Sequence, residues 1–94
     1  MPGDVIPFPT DTDALLKERE TTHGPYEVKA EIIQRLKNVM RFYPGWDNLS
    51  DVQKESLDMI QHKIGRILSG DPDHPDHWRD LCGYAMLAAR QLGS

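Results

Sequence analysis

A single cysteine, Cys82, is all the thiol in this chain. One cysteine closes no intrachain disulfide and builds no cysteine-based structural zinc site. Long apolar runs are also missing. Nothing approaches the roughly 20 residues a helix needs to cross a bilayer, so no membrane partner is expected. Met1-Pro2-Gly3-Asp4 has neither the basic nor the apolar stretch of a secretory leader, and the chain reads as cytoplasmic. Positive charge is in deficit, with 11 Lys and Arg against 15 Asp and Glu and a net charge of −4. That excludes a general nucleic-acid binder but leaves room for a small basic pocket around a phosphorylated ligand. No segment alternates with period two over a strand's length, so a sheet is not expected. Length is short as well: 94 residues hold one core, and a chain of that size buries only roughly 60–65% of its unfolded surface. Self-association is therefore expected before any motif is read.

What is present is helical period. Residues 1–12 hold three of the seven prolines and read as an extended or disordered arm, in which Val5, Ile6 and Phe8 are the apolar content. The rest, 13–92, reads as one helical domain. A short helix is predicted from Asp13, capped by Thr12, to about Thr21, before Thr21-Thr22-His23-Gly24-Pro25 stops it. A second runs from about Tyr26 to Arg41, with Ile32, Leu36, Val39 and Met40 at steps of three and four. Pro44-Gly45 forces a turn. Ser50-Asp51-Val52-Gln53 fits a capping box, and Leu57, Ile60, Ile64, Ile67 and Leu68 carry a third helix to Ser69-Gly70. The fourth begins near Pro75, after Asp73 or His74, and repeats Trp78, Leu81, Ala85, Ala88 and Leu92. The fold class is all-α: a compact bundle of one short and three longer helices joined by short loops.

On a wheel of 100° per residue, Glu55, Asp58, His62 and Arg66 share one face of the third helix. His77, Asp80 and Tyr84 share one face of the fourth. Glu55 with Asp58, and His77 with Asp80, are two pairs of ligand-capable groups at i, i+3. Antiparallel helices can bring such pairs around a hard cation, and carboxylates with phosphate oxygens are what Mg²⁺ takes. Carboxylates crowded in this way repel without a cation, so replacing Asp80 with Asn is expected to leave the metal-free protein as stable or more so.

This arrangement resembles the MazG-like all-α nucleotide pyrophosphohydrolases, whose hallmark is E-x-x-E, a spacer, then E-x-x-D. Here the matching residues are Glu55-Ser56-Leu57-Asp58 and His77-Trp78-Arg79-Asp80. The phrases T-H-G-P-Y and H-K-I-G-R-I-L-S-G-D-P-D-H-P-D-H-W, within residues 14–92, also resemble small phage proteins of unassigned function. The first resemblance implies Mg²⁺- or Mn²⁺-dependent cleavage of a nucleoside triphosphate to its monophosphate and pyrophosphate, in a dimer or tetramer. It implies Glu55, Asp58 and Asp80 as metal ligands, with His77 a ligand or proton carrier. Two departures stand out: Asp58 where Glu is usual, and His77, which suits Mn²⁺ better than Mg²⁺. If the chain is phage-encoded, the compartment is the host cytoplasm.

Phosphate contacts would come from Lys63 and Arg66, and a base could lie against His23-Gly24-Pro25-Tyr26 or Tyr84. Each feature has a plainer alternative. The Glu55–Arg66 face can simply be solvated. Asp73-His74-Pro75-Asp76-His77 can be a capping turn. Trp46 and Trp78 can be core or interface anchors, and Cys82 a small buried hydrophobe. Two rival functions stay open. One is a non-catalytic nucleotide binder that sequesters a signalling nucleotide of host defence; the substitution at His77 favours it. The other is an inert oligomeric interaction protein. Val52, Met59, Met86 and Leu87 lie off the predicted cores and add to the case for a homo-oligomer.

Overall fold

The computed structural model describes residues 13–17 and 23–93, and these are all-α, with no strand among them. Residues 13–17 form the described part of α1. α2 spans Tyr26–Phe42, a 3-10 turn spans Pro44–Asn48, α3 spans Asp51–Ser69 and α4 spans Pro75–Gln91. The expected arm over 1–12, its Thr12 cap and the predicted end of the first helix lie outside the described residues. His23 still carries helical backbone, and Gly24 and Pro25 do not.

The predicted punctuation is in place. Gln53 N–H donates to Ser50 Oγ at 3.1 Å, and Gln53 Oε1 accepts from Ser50 N–H at 2.9 Å, so the capping box satisfies two otherwise orphan donors. Gly70 caps the end of α3, its N–H donating to Arg66 O at 2.9 Å. In the following loop Asp73 N–H donates to Asp71 Oδ1 at 2.9 Å. His74 is the N-cap of α4, its Nδ1 accepting from Asp76 N–H at 3.3 Å, and Pro75 takes the first position.

α3 is the middle helix, with α2 against one side and α4 against the other. The side under α2 is polar. Arg41 Nη2 donates to Asp58 Oδ1 at 3.0 Å and Oδ2 at 2.8 Å, and Gln61 Nε2 reaches Met40 Sδ. The Glu55–Arg66 face is thus not simply solvated: Glu55 is exposed, but Asp58, His62 and Arg66 are half-buried. Gly65 allows the approach. A Cβ there would lie 2.8 Å from Ile33 Cγ1 and 3.2 Å from Lys29 Cγ.

Apolar burial is scarce. Among the described residues Ile33 is the one buried apolar side chain, alongside buried Ser56, Gln61, Lys63 and His77. Leu57, Ile60, Ile64 and Ile67 are only half-covered. Cys82, expected inside, is exposed, because it lies 100° round α4 from the half-covered Leu81. Trp46 is half-buried beneath the Arg41 guanidinium, 4.4 Å from its ring centroid. Trp78 is exposed, and its Nε1 donates to Pro72 O at 2.7 Å, tying the α3–α4 loop to α4.

Candidate functional site

The candidate site begins with a charge in an unusual place. Lys63, on α3, is 5% exposed. Lysine is almost never buried unless paired, and its Nζ lies 3.0 Å from Asp80 Oδ2 on α4. The carboxylate end is half in water, so the pair straddles the protein surface. Lys63 holds the Asp80 carboxyl below the usual carboxylate range, by its hydrogen bond first and then by its charge. Arg66 and His77 pull in the same direction and partial desolvation opposes them.

His77 stands one helical turn before Asp80 and, at 2% exposure, is the most buried large side chain described. Its ring centroid lies 5.0 Å from that of His74 and 5.5 Å from that of His23. Three elements meet here for a local reason. Ser69 Oγ, at the end of α3, is within hydrogen-bond distance of His23 O, at 2.8 Å, and of Gly65 O, at 2.7 Å. Gly24, at φ +83°, presses so close that a Cβ would lie 2.0 Å from Ser69 O. His23 is therefore fixed over the end of α3, and the α4 N-cap brings His74 and His77 up to it.

Beside the ion pair opens a cleft of about 440 Å³, lined by Arg79, Asp80, Gly83, Tyr84 and Leu87. It offers a phenol ring, a guanidinium plane and the exposed edge of the Asp80 carboxylate. Arg66, one turn beyond Lys63, has its Nε buried without a hydrogen-bond partner among the described residues.

Of the residues singled out from sequence, Lys63, Arg66, His77 and Asp80 come together electrostatically, Tyr84 lines the adjoining cleft, and His23 stacks at an angle beside His77. Glu55 and Asp58 do not join them. Asp58 points under α2 to Arg41, about 140° round α3 from Lys63. Tyr26 is exposed, with Lys29 Nζ 5.4 Å from its ring centroid. Among the described residues no three His, Cys, Asp or Glu side chains converge to hold a metal ion. With Asp58 held by Arg41 and Asp80 by Lys63, the donors as folded do not fit the divalent ion that the motif pair implies. Sequence reasoning missed Arg41, Ser69 and Arg79 as members of these clusters. His74 and His77 at i, i+3 were a readable signal, whereas nothing local announces that Arg41 meets Asp58.

The Asp80→Asn expectation also changes sign. Asp80 is the counter-ion of a buried ammonium rather than one of several crowded carboxylates, so neutralising it removes a needed charge. Among the described residues, no helix is long and apolar enough to cross a membrane. Compared with protein-family models, curated proteins and solved structures, the chain finds no match.

Proposed function

We propose that this protein binds a nucleotide through phosphate at the α3–α4 junction and does not need a metal to do so. The single observation carrying this reading is the buried Lys63 ammonium paired with a half-exposed Asp80 at the edge of an open cleft. A positive charge held largely out of water attracts an anion more strongly than one in bulk solvent. Asp80 is a counter-ion that an incoming phosphate can displace into water. Arg66 adds a second positive charge on the same side, and Tyr84 with Arg79 provides surfaces on which a base can stack.

Hydrolysis by the MazG-like motif pair is set aside. Pyrophosphate release by that pair would require Asp58 to leave Arg41 and Asp80 to leave Lys63 at once. A binder of this kind withholds a nucleotide, which fits a sequestering role against nucleotide signalling.

The test is calorimetric titration with a panel of mono-, di- and triphosphates and cyclic dinucleotides, in the presence of a chelator. Binding is expected to survive chelation, to persist in Asp80→Asn, and to be lost in Lys63→Met and in Arg66→Gln. Circular dichroism checks that each variant keeps its helices. Release of pyrophosphate from a triphosphate with Mg²⁺ or Mn²⁺, abolished by chelator, would replace the proposal with the hydrolase reading. No affinity for any nucleotide would leave the interaction-protein reading.

A further inference from the structure

α4 carries no charge from Leu81 to Ala89, and a helix that is uncharged on every side is normally covered on every side. Among the described residues, α4 is covered by α3 and, at its start, by His23. On another side a groove of about 300 Å³ runs between the two helices, walled by Leu57 and Ile60 from α3 and by Ala85 and Ala88 from α4. Leu92, seven residues beyond Ala85 and so on the same stripe, is 70% exposed. Trp78, seven residues before Ala85, is 51% exposed on that stripe.

We infer that this face is an interface with a second copy of the chain, in which the α4 helices of the two copies pack antiparallel about a two-fold axis at Ala85. The patterning of α4 selects a second copy over a foreign partner.

That patterning is self-complementary, as a two-fold interface demands. An antiparallel pair centred on Ala85 sets each residue against the one equally far on the other side. Trp78 of each copy then meets Leu92 of the other, closing both ends with the large exposed side chains. Cys82 meets Ala88, so the centre is built from small side chains that let the helices approach closely. The interface is apolar along this stripe, with Asp80 and Arg90 outside it.

The test uses the full chain. Sedimentation at micromolar concentration is expected to give twice 10.7 kDa, or a multiple built from that pair. Ala85→Asp is expected to reduce it to a single chain, and Phe42→Asp, on the exposed end of α2, to leave it assembled. Because Ala85→Asp could lower helicity, a second measurement is made in Cys82→Ser. There Ala85→Cys, at the axis, is expected to oxidise to a covalent dimer, and Glu31→Cys, on the outer face of α2, is not. A wild-type monomer at that concentration would overturn the inference. So would Phe42→Asp dissociating the assembly, or Ala85→Cys failing to cross-link.

Discussion

At the scale of single residues the molecule rests on two glycines that act for different reasons. Gly24 has a left-handed backbone and almost touches Ser69 O, so a side chain there faces both strain and a collision with main chain that has no rotamer to change. Gly24→Ala is expected to cost about 3 kcal/mol, read as a shift in the urea midpoint. Gly65 sits in an ordinary helix, where Ala would gain about 1 kcal/mol in propensity. Its Cβ would press on the buried Ile33, and overpacking of that kind costs typically 1–3 kcal/mol. Gly65→Ala is therefore expected to destabilise by about 1 kcal/mol in the wild-type background and to stabilise in Ile33→Ala. Additive effects in the double-mutant cycle would show that α2 does not approach at Gly65. His62 supplies a third residue-scale test. Burial, then the charges of Lys37, Arg66 and Lys29, push its imidazole below the ordinary value, against the pull of Asp58. A base weakened by folding binds protons better when unfolded. Its contribution is thus whole above the ordinary histidine pKa of about 6.5 and declines as pH falls below it. Thermal melts from about pH 7.5 to 5.5 are expected to show a shallower decline in His62→Gln than in wild type.

At the scale of helices, the sequence was most legible where the physics is local. Ser50 with Gln53 and His74 with Pro75 set helix starts through contacts within four residues, and both are found as read. The site was only half legible. Lys63 and Asp80 were recognisable as chemically capable, but their pairing depends on how α3 and α4 turn toward each other, which no local pattern encodes. The resemblance implies Asp58 as a metal ligand, and the wheel that groups it with Glu55 shows a helix without its neighbours; α2 and Arg41 decide its partner. Cys82 differs from its reading for the same reason: among the described residues nothing packs on its side of α4. The Lys63–Asp80 pair gives a prediction on this scale. Removing one partner of a buried charge strands the other, whereas an apolar side chain of similar length in place of the buried partner can be neutral. Lys63→Met is expected to melt near wild type, and Asp80→Asn below it. The depressed Asp80 carboxyl adds stability that is complete above the ordinary carboxylate range and fades as pH falls through its folded value, so wild type and Asp80→Asn should converge in acid. If Asp80→Asn melts above wild type without metal, the carboxylates are crowded and the ion pair is not what holds them.

On the scale of the whole molecule, the described residues bury one apolar side chain, Ile33, and leave much of the α3 and α4 apolar stripes half-covered or exposed. Buried Ser56, Gln61, Lys63 and His77 cost desolvation that only good partners return. The proposed pairing through the α3–α4 groove and the uncharged stretch of α4 would add apolar burial. Under that proposal folding and association are one equilibrium, and its midpoint depends on concentration. A hundredfold increase in chain concentration favours the assembled state by about 3 kcal/mol near the melting temperature. Against an unfolding entropy of about 2 cal/mol/K per residue over two chains, that raises the melting temperature by roughly 8 °C. The measurement is a set of thermal melts of wild type across that range, with Ala85→Asp beside it. The variant is expected to melt lower and to lose the concentration dependence. A wild-type midpoint constant across the range would mean that the chain is stable alone, with the α4 face left open to solvent.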